Sequence, residues 1–546
     1  MQVEVMAIAW SIIVIYFAAM IYIGLWSKRK IVSVEDYHIA GRKIGGFING
    51  SAYIAGALSV GSFLGAPAFI FLLGTEFNWA LLGIATSILF GAGLVAAQLR
   101  KAAPVSTTDY FAWRYETDRY GRALLTIAYM WGVIPYNVAC LVGMGEMFVS
   151  LFHLHYIIAL IIVTIVTLVY MWFGGMYATT LTSALQCWFM TAAIFAIVIG
   201  MFLQANPATI YELSKSMQPD AFVSGPYSTM FVKAMVKKWF DPTWLFASGV
   251  VATILWYFVW HIGTISMPYA TVALFRTLDE RTARQSLFWG GLFATLFYIA
   301  VGLIGFGIRP IIEVISPHPV IEQAKAIAPA LPSLGVFSYY YKVYGIGSPT
   351  DYATIAVTEA LRNPWLLGLV GAGVLSIAMS TIAAWSMVMG TIIARDWPRF
   401  ILKRGPLPPN KEILVARLSM SVLLVISLLI AISPPAMICD LTALAYLVVS
   451  SICGPPLILG IWWKRGGPMT FNIYATVMLI ATAGSWMYAY LVLGAPHACA
   501  FFPALATPSQ AYWYFIGFVL WIILCLVTKQ AKPETIKKYH EDLHTS

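Results

Sequence analysis

Residues 50–74 read GSAYIAGALSVGSFLGAPAFIFLLG, and the rest of the chain is best interpreted around them. The stretch is apolar enough to enter a membrane, yet Gly56, Gly61, Gly65 and Pro67 interrupt it. Glycine lowers helix propensity and proline removes a backbone donor, so we expect a helix that unwinds here. In lipid, the freed carbonyl groups must be satisfied by protein, water or an ion. The stretch therefore predicts either an ion site built from backbone carbonyls or a small-residue seam for tight helix packing.

The composition indicates a membrane protein without a separate soluble domain. The 546 residues are 60% hydrophobic and 10% charged, with a mean hydropathy of +0.81, which lies far outside the usage of soluble proteins. Because one transmembrane helix takes about 20 apolar residues, the sequence predicts an all-α integral membrane protein with about 13 transmembrane helices. These predicted spans are residues 6–26, 50–74, 77–98, 123–152, 155–173, 178–203, 245–274, 286–308, 364–394, 413–432, 437–463, 469–493 and 513–528.

The distribution of basic residues predicts the orientation of the chain. The net charge is +10, and alternation of the spans puts 25 of the 33 Lys and Arg residues on one side. The positive-inside rule then places the N-terminus outside and the C-terminus in the cytoplasm of a multi-pass protein of the cell membrane. This asymmetry accounts for the basic charge, so the lipid bilayer is an expected partner and nucleic acid is not.

No arrangement of residues in the sequence is typical of an enzyme. The six cysteines form no CxxC or Cys/His cluster, and most lie within predicted spans, where packing is the ordinary role. Paired carboxylates, a His/Asp/Glu metal set and a nucleophile with its base are likewise not evident. The sequence therefore predicts no catalytic residues and no cofactor apart from a coupling ion.

A second interrupted span gives the chain an internal symmetry. Residues 245–274 contain Gly263 and Pro268, and four uninterrupted spans separate them from residues 50–74. Two sets of five spans in inverted orientation, each beginning with a broken helix, are typical of secondary transporters. The expected divisions are 1–45 (extra helix and inner loop), 46–204 (first repeat), 205–244 (outer loop), 245–463 (second repeat, with outer segment 310–362) and 464–546 (two helices and a tail).

Adjacent hydroxyl groups in the ninth predicted span are candidates for the other half of an ion site. Ser380 and Thr381 lie in the middle of an apolar helix. Such hydroxyls commonly bond back to the carbonyl four residues earlier. Hard alkali cations, however, prefer neutral oxygen ligands, and two hydroxyls that face freed carbonyls would satisfy Na⁺ without a buried net charge.

Few ionisable residues lie within predicted spans, where they are costly and mark function by default. Glu146 and Asp440 lie toward the outer ends of their spans, where we expect them to reach the headgroup region. His261 lies in the middle of the second broken span. It is either a structural hydrogen-bonded histidine or a contact of the transported solute.

Three ordered motifs resemble the sodium/solute symporter family, which includes bacterial proline, pantothenate, acetate and galactose permeases. They are EDYHIAGRKIGG at 35–46, VYMWFGGMYATTLTSALQ at 169–186 and AMSTIAAWSMVMGTIIARDW at 378–397. The resemblance implies a LeuT-like fold of two inverted repeats that works by alternating access. It also implies a sodium site, and the matching ligand positions in this chain are Ala55, Leu58, Ile377, Ser380 and Thr381.

Two positions depart from the family pattern. Ala57 stands where the proline permease has an aspartate, and residues 182–186 read TSALQ where several members have an aspartate in a T-D-x-x-Q run. Both changes remove negative charge near the expected ion path. Coupling to H⁺ instead of Na⁺ therefore stays open.

The transported solute is predicted from weaker resemblance. GTISMPYATVALFRTLDERTARQS at 263–286 and LVGMGEMF at 141–148 resemble acetate and short-monocarboxylate permeases, although Glu146 stands where those tend to carry a base. We expect cation-coupled symport of a small organic solute, in particular a short monocarboxylate. An amino-acid symporter, a membrane-embedded enzyme, a sensor and a channel are the alternatives. The expected solute-binding residues are Tyr53, Ser59, Tyr136, Asn137, His261 and Thr264.

Overall fold

The computed structural model describes residues 3–28, 33–73, 77–173, 175–217, 257–258, 260–261, 263–329, 331–491 and 509–544. These residues form helices joined by short connections, and the only β pairing among them is an isolated bridge between Ile44 and Thr277. The helices from the N-terminus to the middle of the chain are α1 (Val3–Lys28), α2 (Val34–Ile39), α3 (Gly46–Ala57), α4 (Ala66–Leu73), α5 (Asn78–Gly91), α6 (Ala97–Ala102), α7 (Thr107–Arg114), α8 (Tyr120–Phe152), α9 (Tyr156–Phe173), α10 (Met176–Gln204) and α11 (Pro207–Ser216).

The second half of the described chain has the same character. Its helices are α12 (Pro268–Phe275), α13 (Glu280–Arg309), α14 (Ile321–Ile327), α15 (Pro332–Tyr344), α16 (Ala353–Ala360), α17 (Pro364–Thr391), α18 (Pro409–Ala431), α19 (Ile438–Trp462), α20 (Pro468–Leu491), α21 (Ser509–Val527) and α22 (Pro533–Ile536). The outer segment 310–362 is partly helical, as its composition predicts, because α14, α15 and α16 lie within it.

Seven helices of the described chain are long and apolar enough to cross a membrane, or up to nine if two bent pairs are each one span. The expected number of thirteen spans is therefore not confirmed. One bent pair is Asn78–Gly91 with Gly93–Ala102, at 47°, where the sequence predicted an uninterrupted span at 77–98. Residues 245–256 of the predicted second broken span lie outside the described residues.

The first predicted break is present where the glycines predict it. Helix α3 ends at Ala57, Leu58 is extended with φ −70° and ψ 129°, and the chain resumes as a wide helical turn over Gly61–Gly65. The two halves are bent by 67°. A Cβ atom at Gly61 would lie 2.8 Å from Thr442 Oγ1, so the same glycines also pack closely against α19. The structure therefore shows the close packing proposed for this stretch together with the helix break, and the ion site stays a prediction.

The second break lies at Met267. Residues 263–266 are helical, Met267 is extended with φ −66° and ψ 143°, and α12 begins at Pro268. Proline suits this position because the first residues of a helix have no intrahelical acceptor for their N–H groups. The chain before α3 meets the end of α12, since the Ile44 N–H donates to Arg276 O at 3.3 Å.

Burial separates the central helices from those at the periphery. In the most apolar part of the α17 span, 94% of the residues are buried, and in that of α19 89% are buried. In α1 and α18 the buried share is only 28%. Apolar side chains on the peripheral helices face lipid. Helices α17 and α19 therefore lie inside the bundle, next to the broken span formed by α3 and α4. The division into repeats at the expected boundaries stays a prediction.

Candidate ion and solute site

The break after α3 faces the hydroxyl pair of α17. Ser380 Oγ donates to Ala55 O at 2.8 Å, and Thr381 Oγ1 lies 2.8 Å from Leu58 O and 3.4 Å from Ala55 O. Ile377 O is 3.1 Å from Ser380 Oγ and 2.7 Å from Thr381 Oγ1. All five residues are fully buried. The structure thus brings together the five positions expected to form the sodium site.

The helix break explains why these carbonyl oxygens are available. A helix leaves its last carbonyls without intrahelical donors, and in α3 the Leu58 N–H, at the C-cap, donates to Ile54 O. The next carbonyl along the helix is that of Ala55, and the helix does not continue to supply its donor because Leu58 is extended. The Ser380 and Thr381 hydroxyls reach these oxygens from the neighbouring helix, while also lying near the carbonyl of Ile377 in their own helix.

The donor set is unbalanced in favour of acceptors. A hydroxyl has one hydrogen, so two hydroxyls cannot satisfy the three carbonyl oxygens and each other at once. Ile377 O also has a backbone N–H donor within α17, so the oxygens short of donors are those at the end of α3 and in the two hydroxyls, and such neutral oxygens are ligands that a hard monovalent cation accepts. No group of three His, Cys, Asp or Glu side chains in the described chain is arranged to hold a metal ion. The role of the five residues as ligands of Na⁺ stays a prediction.

The two departures from the family pattern leave neutral surroundings. Ala57 is at the end of α3 and lines the adjacent cavity. Ser183 is buried, and its hydroxyl has no hydrogen-bond partner among the described residues. Gln186 Nε2 donates to the Tyr16 hydroxyl at 2.9 Å. A cation bound at the break would therefore keep its full positive charge.

A small cavity opens beside the break. It offers about 20 Å³ to the centres of water-sized molecules, which is room for about one water molecule. None of its described lining residues is charged. The lining consists of Ala57, Ser59, Gly61, Ser62, Ala66, Phe77, Ala80, Leu81, Ile84, Tyr136, Trp260, Cys439, Thr442 and Tyr446. An organic solute would need this cavity to widen, as alternating access requires.

Two of the six predicted solute residues, Ser59 and Tyr136, line the cavity. Tyr136 stacks on Trp385 at 4.6 Å between ring centroids, and its hydroxyl is 3.3 Å from Ala57 O. Tyr53 is buried and meets Tyr269 edge-on at 6.3 Å. It does not line the cavity in this conformation.

The other three predicted solute residues also lie away from the cavity wall. Asn137 Nδ2 donates to Ser386 Oγ at 3.3 Å. His261 Nδ1 is 2.9 Å from Thr86 Oγ1, on the α5 side of its helix, and Thr264 Oγ1 donates to Trp260 O at 2.7 Å. These bonds favour the structural interpretation of His261 in this conformation.

Sequence analysis missed an aromatic wall on α19 and the second broken span. The hydroxyls of Tyr269 and Tyr446 are 2.8 Å apart, and Trp260 lies 4.7 Å from the Tyr446 ring. Thr442 and Tyr446 are four residues apart in α19, so they share one face of the helix. That spacing was a usable signal, but spacing does not reveal which face of a buried helix meets a cavity.

Comparison with known proteins follows from this geometry. A model of the sodium:solute symporter family matches residues 37–468, which include both helix breaks and the hydroxyl pair. The chain belongs to the sodium:solute symporter family. Its members are transporters of solutes coupled to sodium, so this member is a multi-pass membrane transporter.

Solved structures agree on the fold of this symporter. A Na⁺-coupled sialic acid symporter in a substrate-bound, outward-open state matches with a TM-score of 0.68 at 17% identity, over 96% of this chain and 99% of that one. At this identity the match shows a shared LeuT-like fold and no more. A manganese transporter from Eremococcus coleocola matches at 14% identity over 90% of this chain and 95% of that one, with a TM-score of 0.48 that is too low to support an argument.

Proposed function

We propose that this symporter uses the Na⁺ gradient to import a short monocarboxylate across the cell membrane. The observation that carries the proposal is the cluster of five buried oxygens at Ala55, Leu58, Ile377, Ser380 and Thr381. The cluster is neutral, so one bound Na⁺ adds a single positive charge. Each such charge that moves inward gains ~2.3 kcal/mol per 100 mV of membrane potential.

The ion would act by joining the two helices that supply its ligands. Without it, the hydroxyls of Ser380 and Thr381 donate to some of the carbonyls of Ala55, Leu58 and Ile377 and leave other lone pairs unsatisfied. With Na⁺ bound, all five oxygens point toward one cation, which holds the break of the α3–α4 span against α17. Ala57 and Ser59 border the cavity beside this break, so fixing the break also fixes part of the solute site.

The lining of the cavity suits a small anion that carries an apolar group. Hydroxyls of Ser59, Ser62, Thr442, Tyr136 and Tyr446 lie in the lining, and most of the remaining wall is apolar. The described lining includes no carboxylate to repel an anionic solute. A carboxylate next to a bound Na⁺ would also be favoured electrostatically, which supports a monocarboxylate over a neutral solute.

Uptake into proteoliposomes with imposed ion gradients tests the proposal. Acetate, propionate, pyruvate and proline would each be offered under an inward Na⁺ gradient, an inward H⁺ gradient and no gradient. We expect the Na⁺ gradient to drive accumulation of one or more of the three monocarboxylates. Accumulation that follows only the H⁺ gradient would favour the proton-coupled alternative, and accumulation of proline alone would favour the amino-acid alternative.

The orientation is part of the same proposal. We propose that the N-terminus lies outside and the C-terminus in the cytoplasm, since most Lys and Arg residues then face inward. Protease accessibility of a tag at each terminus, measured on intact cells and on inverted vesicles, tests it. A C-terminal tag that is cleaved on intact cells would contradict the proposed orientation.

A further inference from the structure

Three acidic side chains are buried together on the side that we assign to the outside. Glu146 lies in α8, Asp351 in the short turn Thr350–Tyr352 of the outer segment, and Asp440 in the first turn of α19. Glu146 and Asp351 have no exposed surface, and Asp440 is 2% exposed. The expectation that Glu146 and Asp440 reach the headgroup region is therefore wrong, because the outer segment covers them.

Two of these carboxyl groups attach the outer segment to the helix bundle. Glu146 Oε1 accepts the Ser348 N–H at 3.3 Å, and Asp351 Oδ2 accepts the Ile438 N–H at 2.8 Å. The first bond joins the segment to α8, and the second joins it to the start of α19. A third contact, from Thr354 Oγ1 to Phe63 O at 3.4 Å, joins it to the wide turn of the first broken span.

The second oxygen of each carboxyl group has no hydrogen-bond partner in the part of the chain that the structure describes. Glu146 Oε2 and Asp351 Oδ1 are buried and lack a hydrogen bond among the described residues. The two groups act on each other electrostatically, and both act on the hydroxyl of Tyr156, which donates to Ala431 O at 3.0 Å. Unpartnered carboxylate oxygens in a buried place are costly, so the pair needs another ligand.

The described groups around Glu146 and Asp351 are negatively charged or neutral. Asp440 adds a third carboxyl group beside Asp351, and no Lys, Arg or His of the described chain forms an ion pair with Glu146 or Asp351. The nearest basic groups of this region are engaged or lie at the surface. His318 bonds to Glu359 at 2.9 Å within the outer segment, and His153 and His155 are exposed.

We infer that Glu146 and Asp351 form a proton-binding pair that holds the outer segment closed over the cavity. Protonation of either buried carboxyl group removes one negative charge and replaces an unpartnered carboxylate oxygen by a hydroxyl. Carboxyl pairs of this kind titrate as a unit. Burial raises the pKa of Asp351 to about 7, with Asp440 acting in the same direction against hydrogen bonds from Ile438 and Ser348.

The position of the pair connects its protonation to the access of the outer solution to the cavity. Ile438, which donates to Asp351, precedes Cys439, and Cys439 lines the cavity together with Thr442. When external pH falls, the pair takes up a proton from the outer solution and the closed arrangement is stabilised. When pH rises through the raised pKa, the proton is lost and two buried carboxylates repel each other, so the segment is released. This switch goes beyond the proposed transport function and holds whichever ion drives transport.

Reactivity of the native Cys439 thiol measures opening without knowledge of the solute. The full chain carrying Cys499→Ser, which removes the one cysteine outside the described residues, is expressed in intact cells. A membrane-impermeant methanethiosulfonate is added at external pH values from about 5.5 to 8.5, a range that spans the raised pKa of Asp351. The labelled fraction of Cys439 is then measured by mass spectrometry of the purified protein.

The neutral double variant Glu146→Gln with Asp351→Asn removes both negative charges, so no repulsion between two carboxylates arises at any pH. Thiols react faster at high pH for intrinsic reasons, so the informative quantity is the ratio of the wild-type rate to the variant rate at the same pH. We expect a ratio near one at low pH that rises about fivefold or more at high pH. The single variant Asp351→Asn gives the same comparison if the double variant does not fold.

Two further variants decide whether the pair is responsible. Glu322→Gln neutralises an exposed carboxylate of the same segment that pairs with Lys325, and it should keep the wild-type dependence on pH. An unchanged ratio across the pH range would overturn the inference. So would a dependence that survives in the double variant and disappears in His318→Gln, because the switch would then lie at the His318–Glu359 pair.

Discussion

The hydroxyl of Thr381 lies 2.8 Å from the carbonyl oxygen of Leu58, although 323 residues separate them in the chain. The first residue belongs to an uninterrupted buried helix, and the second is the extended residue at which the broken helix stops. This contact closes the helix break against α17. It is also a direct test of the proposed ion site, because the Thr381 hydroxyl can be removed by substitution while the backbone oxygen of Leu58 stays in place.

Removal of either hydroxyl should weaken the binding of the coupling ion. We expect Ser380→Ala and Thr381→Ala each to raise the Na⁺ concentration for half-maximal uptake about tenfold, which corresponds to ~1.4 kcal/mol. Thr381→Ser keeps the oxygen and should retain most of the affinity. Ser376→Ala is the matched control, since Ser376 lies one turn earlier on α17 and makes no bond to Ala55 or Leu58. Unchanged Na⁺ dependence in both alanine variants would remove these residues as ligands.

The close approach of α19 to the first break should respond to an added methyl group. In Gly61→Ala the new Cβ would lie 2.8 Å from Thr442 Oγ1 and 2.9 Å from Thr442 Cγ2. We expect a loss of ~1–3 kcal/mol of stability from overpacking, together with slower uptake. The double variant Gly61→Ala with Thr442→Ala should recover thermal stability in detergent. If the second change gives no recovery, the crowding is not between these two residues.

The aromatic wall should affect the solute more than the ion. Tyr446→Phe removes the hydroxyl that lies 2.8 Å from the hydroxyl of Tyr269 and leaves the ring against Trp260. We expect the KM for the transported monocarboxylate to rise several-fold while the half-maximal Na⁺ concentration stays the same. Tyr120→Phe serves as the control because Tyr120 is exposed, at 52%. A shift in the Na⁺ concentration alone would place Tyr446 with the ion site.

A buried ion-pair network that joins α7, the start of α8 and the chain after α17 should set stability at acid pH. Asp109 Oδ1 lies 2.8 Å from Arg122 and 3.1 Å from Arg395. Burial acts to raise the pKa of Asp109, but the charges of Arg395 and Arg122 outweigh it and the pKa is lowered. A carboxylate with a lowered pKa adds stability above its unfolded pKa of about 3.9, and this stability is lost as pH falls through the folded pKa.

Thermal unfolding in detergent tests this network. We expect Asp109→Asn to lower the Tm at neutral pH, by an amount that corresponds to about 3–5 kcal/mol for a broken buried pair. The difference from the wild type should shrink as the pH falls below about 4. Asp118→Asn changes a carboxylate that is 66% exposed and 3.6 Å from Arg122, so its effect should be small. A difference in Tm that is the same at every pH would contradict the role given to the Asp109 charge.

Local sequence patterns determined the membrane class, the first helix break and the residues that meet across it. Glycine and proline act on the backbone where they stand, so the interruption near Gly61 was visible in the sequence, and the Pro268 start of α12 likewise. The pairing of Ala55 and Leu58 with Ser380 and Thr381 followed from complementary chemistry and the family resemblance. The number of spans did not follow, because apolar runs do not show where a helix bends.

Only the tertiary structure decided what covers the polar groups. Asp351 lies in a loop of mixed composition, and nothing near it in the sequence predicts full burial. The burial results from a backbone N–H of Ile438, 87 residues away, and from the docking of the outer segment on Glu146. Packing likewise decides the surroundings of His261 and Tyr446. His261 turns toward Thr86, whereas Tyr446 lines the cavity. Sequence periodicity gives the faces of a helix, whereas packing between distant segments decides what each face meets.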